Sequence, residues 1–160
     1  MTSPPSTYHV LLIDDDPSLT APLQEALELL AGYAVTVASD GGAGLEALWA
    51  RRPDCVVVDI RMPGVDGYQL IRAVRGDPET TDIPLVVLSA LAQETQTLAG
   101  FLSGADAYLY KPIDLDELLA AVKQAIELTA TERQRRLTDL TVEYRDTRRA
   151  SEEAKHKAQQ

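Results

Sequence analysis

Five short apolar runs alternate along the chain with segments of helical periodicity. The runs are YHVLLI (8–13), YAVTVA (33–38), CVVVD (55–59), IPLVVLS (83–89) and AYLY (107–110), and their length and β-branched content are typical of buried strands. Between them apolar residues recur every three or four positions, as at Leu23, Leu27 and Leu30. The alternation predicts a doubly wound α/β fold, with a five-stranded parallel sheet, right-handed crossovers and five flanking helices.

The last predicted helix lies in an unusually long stretch without helix breakers. From Ile113 to Gln160 there is neither glycine nor proline, and we expect an extended helix from 114 to about 150. Beyond its first third, the apolar positions follow an alternating spacing of three and four that predicts a weak dimerisation seam. Its members include Ile126, Leu137, Leu140 and Tyr144.

Length and composition indicate one domain with appendages. The chain has 160 residues, which suits a disordered N-terminal tail (1–7), one domain (8–128) and a helical extension (129–160) that dimerises or links to another domain. No apolar run approaches the 18 or so residues of a membrane span, and the N-terminus lacks the features of a signal peptide. The single cysteine, Cys55, lies within an apolar run and fits a reducing compartment. We therefore expect a cytoplasmic protein.

The charge is unevenly distributed. Residues 1–128 hold 7 basic and 19 acidic residues, a net charge of −12, whereas residues 129–160 hold 8 and 6, a net charge of +2. The acidic body would repel a polyanion, and the extension is too mixed in sign to reverse this. We therefore expect no direct binding to nucleic acid.

Polar residues of chemically reactive types lie at the ends of the predicted strands. Asp14 and Asp15 follow the first strand, Asp59 ends the third, Ser89 ends the fourth and Lys111 follows the fifth. In a doubly wound sheet ligands bind at the carboxyl ends of the strands, so these side chains are expected at one edge.

Three carboxylates at one edge favour a bound cation. Two like charges 4 Å apart repel by about 1 kcal/mol in water and about 4 kcal/mol at an effective dielectric near 20, and Mg²⁺ reverses the sign of this interaction. A carboxylate such as Asp59 can attack a phosphoryl group, while Mg²⁺ and Lys111 neutralise charge and the Ser89 hydroxyl donates to a phosphoryl oxygen. The pattern predicts a nucleophilic Asp59 on a rigid strand end.

Four blocks of the sequence resemble the response-regulator receiver domain of two-component phosphorelays. They are LLIDDDPSL, PDCVVVDIRMPGVDGYQL, IPLVVLSA and GADAYLYKPID, in the family's order and spacing, within about Tyr8 to Leu128. The resemblance implies the strand order 2-1-3-4-5. It also implies a phosphoryl donor, which would be a histidine kinase or a phosphotransfer protein.

The resemblance also implies a role for individual positions. Asp59 is the implied phosphoacceptor, and Mg²⁺ is implied to bind Asp14, Asp15, Asp59 and the backbone carbonyl of Arg61. The implied switch residues are Ser89 and Tyr108. Lys111 is the implied phosphoryl-contacting lysine, joined to Pro112 by a cis peptide bond. Such a protein catalyses only its own phosphorylation and dephosphorylation.

Other functions remain open from the sequence. Phosphatases of the haloacid-dehalogenase type also use a strand-end aspartate, but they need a general acid two residues later, where this chain has Arg61. A binding module that never receives phosphate would normally lack Asp59, Lys111 or the acidic pair. The chain could also be the receiver of a larger protein whose effector domain is not in this sequence. His9 and His156 have no evident partner and are expected at the surface.

Overall fold

Five parallel strands form one sheet in the part of the chain that the structure describes. The computed structural model describes residues 7–62, 64–90 and 104–128, together with the helical positions 132, 135 and 138. The strands are β1 (His9–Ile13), β2 (Ala34–Ala38), β3 (Cys55–Asp59), β4 (Leu85–Ser89) and β5 (Ala107–Tyr110). Their spatial order is β2-β1-β3-β4-β5, which confirms the fold class and the strand order.

Four helices connect or follow the described strands. They are α1 (Pro17–Ala31), α2 (Gly41–Ala50), α3 (Gly67–Gly76) and α4 (Leu115–Glu127). Each begins after an aspartate whose carboxylate accepts backbone N–H groups of the first turn, which would otherwise lack partners. The helix expected between β4 and β5 falls on residues 91–103, outside the described residues. None of the described helices is long and apolar enough to cross a membrane.

The core has two layers because strand side chains alternate between the faces of the sheet. Leu11 and Ile13 of β1 pack with α2 and α3 on one face. Val10 and Leu12 pack with α1 and α4 on the other. Both faces of the central strands are therefore buried, which explains why their sequence is continuously apolar.

The expectation of one uninterrupted helix from 114 to about 150 is wrong at Leu128. Helix α4 ends at Glu127, and the backbone of Leu128 (φ −69°, ψ 129°) is extended. Helical backbone is described again at positions 132, 135 and 138. The sequence offers a reason, because Thr129 and Thr131 follow Leu128, and β-branched residues lower helix propensity.

His9 is buried, so the expectation of a surface position is wrong for this histidine. Only 5% of the residue is exposed, and its Nε2 lies 2.8 Å from the hydroxyl of Thr36 on the neighbouring edge strand. Burial and the nearby Arg51 lower the pKa of the His9 imidazole, which opposes a smaller upward effect of Asp54. His156 lies outside the described residues.

Candidate functional site: an acidic pocket with a lysine

Strand register brings the polar strand ends together at one edge of the sheet. Ile13 of β1 pairs with Val58 of β3, so the residues that follow them, Asp14 and Asp59, lie side by side. Strand β4 ends at Ser89 opposite Tyr110 of β5, and Lys111 comes next. The backbone N–H of Lys111 donates to the Ser89 carbonyl at 2.7 Å, which extends this pairing by one residue.

Three carboxylates converge at this edge. Asp14, Asp15 and Asp59 each offer one oxygen, and these oxygens lie within 4.8 Å of one another. Asp14 and Asp59 are buried, with 2% and 5% of the residue exposed, whereas Asp15 is exposed to solvent. The arrangement is an open pocket with two charged groups at its floor and one at its rim.

Lys111 is the cation of the pocket. Its Nζ lies 3.3 Å from Oδ1 of Asp59 and 3.7 Å from Oδ2 of Asp14. The lysine side chain is 28% exposed, so it closes one side of the pocket while its terminus remains accessible from solvent. The peptide bond between Lys111 and Pro112 is cis.

Burial and neighbouring negative charge raise the pKa values of Asp14 and Asp59. Burial raises the pKa of Asp59, and the neighbouring Asp14 raises it further, while Lys111 opposes both effects. Burial likewise raises the pKa of Asp14, against the effects of Lys111 and of the Asp16 backbone N–H, which donates to Oδ1 at 3.0 Å. One lysine therefore does not fully compensate the negative charge of the pocket.

The residues present fit a magnesium ion. Within the described residues, Oδ2 of Asp14 is buried and has no hydrogen-bond partner, and the Lys111 ammonium lies 3.7 Å from it. A buried carboxylate oxygen without a donor is costly, and a cation satisfies it. Oxygen ligands from one or two carboxylates at an open site are also what Mg²⁺ uses when it binds together with phosphate.

The backbone around Asp59 is held by close packing at the start of α3. The Ile60 N–H donates to the Leu88 carbonyl at 3.1 Å, and the Gly67 N–H donates to the Ile60 carbonyl at 2.9 Å. A Cβ at Gly67 would lie 2.7 Å from both the Asp59 carbonyl oxygen and the Ile60 Cα. Asp66 and Gln69 form a capping box at this point. The need for a glycine at this contact is visible only in the structure.

The other predicted site residues occupy distinct positions. Ser89 is fully buried at the end of β4, and Tyr108 is half-buried on β5 against the core layer of α2 and α3. The side chain of Arg61 is exposed after Asp59. In the predicted seam, Ile126 is half-buried on α4. Leu137, Leu140 and Tyr144 lie outside the described residues.

Fold and site together define a class of protein: a doubly wound α/β domain with an acidic pocket and a lysine at the carboxyl edge of its sheet. Residues 10–123 match the response regulator receiver domain family, and the chain belongs to that family. Receiver domains of this family act in phosphorylation-based two-component signalling, as signalling switches and not as enzymes in the usual sense.

Similar proteins include regulators and isolated receiver domains. The DNA-binding dual master transcriptional regulator RpaA from Synechocystis is 41% identical over 120 residues, which cover 75% of this chain and 49% of that protein. This chain thus spans about half the length of that relative. Among solved structures, a Francisella response regulator receiver domain is 32% identical with a TM-score of 0.68, covering 76% of this chain and 98% of that one.

A second solved structure contains a metal ion. The receiver domain of a Pseudomonas aeruginosa sensor histidine kinase, with magnesium coordinated in its active-site cleft, is 28% identical with a TM-score of 0.69. The match covers 76% of this chain and 98% of that domain.

Proposed function

We propose that this chain is a switch that accepts a phosphoryl group on Asp59 from a histidine kinase or a phosphotransfer protein. The observation that carries the proposal is the convergence of the Asp14, Asp15 and Asp59 carboxylates within 4.8 Å, with Lys111 at 3.3 Å from Asp59. Carboxylates this close together repel one another, and such a cluster suits a site that binds a cation and a phosphoryl group together.

The reaction is a transfer between two side chains. An Asp59 oxygen attacks the phosphorus of a phosphohistidine, the N–P bond breaks, and its electron pair stays on the imidazole, which takes up a proton. The product is an aspartyl phosphate, and its hydrolysis returns Asp59 and inorganic phosphate. Lys111, which already contacts Asp59, is placed to pair with a phosphoryl oxygen as charge builds there.

Asp14, Asp15, Asp59 and the carbonyl of Arg61 are the residues that would hold Mg²⁺. When bound, Mg²⁺ supplies positive charge that offsets the repulsion between the carboxylates and the incoming phosphoryl group. The lack of a hydrogen-bond partner for Oδ2 of Asp14 among the described residues and the magnesium in the Pseudomonas receiver domain support this assignment. The Asp16 N–H donates to the other oxygen of Asp14 and thereby holds this carboxylate in place.

Phosphorylation is read out through Ser89 and Tyr108 in this proposal. The new group adds about −1.5 to −2 charge at the end of β3, and the Ser89 hydroxyl at the neighbouring strand end donates to it. Tyr108 lies on the strand that ends at Lys111 and is only half-buried, so it has room to change rotamer. The changed surface of β5 alters what the domain binds.

The assignment of chain segments is also part of the proposal. Residues 8–128 form the receiver, and residues 129–160 form an extension that either dimerises through Ile126, Leu137, Leu140 and Tyr144 or links to an effector domain. The 120 matched residues make up 49% of the relative named as DNA-binding, so about half of that protein lies outside the match. The acidic body of this chain is itself unsuited to nucleic acid, and we place its signalling in the cytoplasm.

The test uses acetyl phosphate as the phosphoryl donor. The full chain with Mg²⁺ is expected to gain one phosphoryl group by intact mass, and Asp59→Asn is expected to gain none. Asp116→Asn, which removes an exposed carboxylate in the first turn of α4, is the matched control and is expected to behave as wild type. Labelling of Asp59→Asn to the wild-type level would overturn the assignment.

A parallel assay separates the switch from a phosphatase. The switch is expected to release phosphate only from its own Asp59, so an external phosphate monoester such as p-nitrophenyl phosphate is not turned over. Sustained turnover that is lost in Asp59→Asn would instead assign a phosphatase.

A further inference from the structure

The first residue of helix α2 packs against the loop between β3 and α3. This β3–α3 loop runs from Ile60 to Asp66 and includes Arg61, whose carbonyl is among the proposed magnesium ligands. Gly41 begins α2 and is buried. A Cβ at Gly41 would lie 2.2 Å from the Val65 carbonyl oxygen and 2.8 Å from the Val65 Cβ. The helix and the loop therefore meet too closely to admit a side chain at this position.

The helix is held more firmly than the loop at this contact. Helix α2 is anchored in the core by Leu48, which is 2% exposed. One turn after Gly41, Gly44 lies so close to Ile13 that a Cβ there would meet the Ile13 Cδ1 at 2.6 Å. Val65 of the loop, in contrast, is only half-buried. The loop is therefore the side expected to move when an atom is added at Gly41.

A movement of the loop reaches the Arg61 carbonyl through shared packing. Ile60 and Met62 flank Arg61 and are buried in the same core layer against which Val65 packs. A Cβ at Gly41 reaches ordinary contact, at 3.4 Å or more, only if Val65 moves by about 1 Å. Mg²⁺ demands near-ideal octahedral geometry with oxygen ligands at about 2.0–2.1 Å, so a displacement of about 0.3 Å at one ligand weakens its binding.

We propose that Gly41 is a positioning residue for the metal site, because its lack of a side chain lets α2 hold the β3–α3 loop where the Arg61 carbonyl can bind Mg²⁺. The inference rests on the proposed function, since it concerns the same pocket. The buried Oδ2 of Asp14, which has no hydrogen-bond partner among the described residues, is an independent sign that this pocket suits a cation. Asp59 is held separately by the contact at Gly67, so Gly41 sets the affinity for the metal and not the reactivity of Asp59.

The first test measures Mg²⁺ binding to the full chain by isothermal titration calorimetry, below the temperature at which any variant unfolds. Gly41→Ala is expected to raise the dissociation constant for Mg²⁺ by about tenfold. Gly42→Ala is the matched control and is expected to bind as wild type does, because a Cβ there would meet the Asp40 carboxylate oxygen at 3.4 Å, an ordinary contact. Both variants replace a glycine in the first turn of the same helix, so the gain in helix propensity is common to them.

The second test measures the labelling of Asp59 by acetyl phosphate at a series of Mg²⁺ concentrations. Gly41→Ala is expected to need about tenfold more Mg²⁺ for half-maximal labelling and to reach the wild-type rate at saturating Mg²⁺, since Asp59 itself keeps its place. A merely structural role would lower the free energy of unfolding without shifting this dependence on Mg²⁺. A lower maximal rate with an unchanged dependence on Mg²⁺ would therefore overturn the inference.

The remaining outcomes separate this inference from the proposed function. A folded Gly41→Ala that binds Mg²⁺ as wild type does, or equal losses in Gly41→Ala and Gly42→Ala, would overturn the inference and leave the proposed function intact. A wild type that neither binds Mg²⁺ nor is labelled would overturn both. If Gly41→Ala does not fold, Val65→Ala tests the same contact from the loop. It removes two methyl groups that pack the loop against the core and is expected to raise the dissociation constant for Mg²⁺ by about threefold, and an unchanged constant would overturn the inference.

Discussion

At Asp14, a single buried carboxylate lowers the stability of the metal-free fold and also suits the pocket to a cation. It lies beside Asp59, and its pKa is raised chiefly by burial. One of its oxygens accepts the Asp16 N–H, and the other has no hydrogen-bond partner among the described residues. Because its pKa is raised, the ionised form of Asp14 destabilises the metal-free fold. The same oxygen, which lacks a hydrogen-bond donor, suits the pocket to a cation.

Asp14→Asn is therefore expected to stabilise the metal-free protein by about 1–2 kcal/mol at pH 7, since it removes repulsion at a distance where like charges cost about 1–4 kcal/mol. Asparagine keeps an oxygen for the Asp16 N–H. Urea unfolding in EDTA measures the gain, and added Mg²⁺ is expected to stabilise wild type more than the variant. Equal stabilisation of both proteins by Mg²⁺ would argue against Asp14 as a ligand.

The pH dependence of this difference follows from the direction of the pKa shift. A carboxyl group with a raised pKa in the folded state binds protons more readily folded than unfolded, so its destabilising effect is fully present above the folded pKa. The effect fades as pH falls through that value and is gone below the ordinary value of 3.8. The stability advantage of Asp14→Asn in EDTA is thus expected to shrink on acidification, and an advantage that grew would contradict the assignment.

At the scale of elements, the start of α3 fixes the backbone that carries Asp59. Helix and strand approach so closely at Gly67 that a Cβ there would meet the Asp59 carbonyl oxygen and the Ile60 Cα at 2.7 Å. At Gly76, the last residue of the same helix, a Cβ would meet nothing within 4 Å. One helix therefore contains both a glycine required by packing and one that is not.

Gly67→Ala is expected to destabilise the protein by about 1–3 kcal/mol, because backbone atoms must move to admit the methyl group. It is also expected to slow labelling of Asp59 by acetyl phosphate, since the displaced backbone is that of Asp59 and Ile60. Gly76→Ala is the control, expected to be neutral or to stabilise by up to about 1 kcal/mol. Urea unfolding and intact mass measure both effects, and equal losses in the two variants would refute the packing explanation.

At the scale of the whole molecule, an arginine whose side chain is only 11% exposed joins elements that are distant in sequence. The Arg75 guanidinium, at the end of α3, donates to the carbonyls of Thr81, Ile83 and Gly104 at 2.6–2.9 Å and lies 3.3 Å from Asp106. The Asp106 carboxylate in turn accepts the Leu85 N–H at 2.7 Å. The network ties α3 to the starts of β4 and β5, the two strands that end at Ser89 and Lys111.

Arg75→Met is expected to cost about 3–5 kcal/mol, because it leaves a buried carboxylate without its cation and three carbonyls without their donor. The Arg52–Asp82 pair provides the comparison, since its side chains are 51% and 44% exposed and Arg52→Met is expected to cost no more than about 1 kcal/mol. Urea unfolding of both variants measures the difference. Similar losses would mean that burial does not set the strength of these ion pairs.

The sequence by itself determined the elements and the chemistry of the strand ends. Burial on both faces requires continuous apolar residues, and this pattern is local, so the five strands were predicted to within two residues of their observed bounds. Asp14, Asp59 and Lys111 were expected to meet for a similar reason, because parallel strands present their carboxyl ends at one edge. The strand order itself came from the resemblance to receiver domains.

Tertiary structure decided what depends on distances between separate elements. The burial of His9 beside Thr36, the closeness of Asp14 to Lys111 and the contact at Gly67 each need two segments at a fixed separation. The sequence pattern also did not predict that α4 ends at Glu127, because the absence of glycine and proline permits a helix but does not require one. A one-dimensional pattern records which residues prefer burial, whereas packing in three dimensions decides which of them meet.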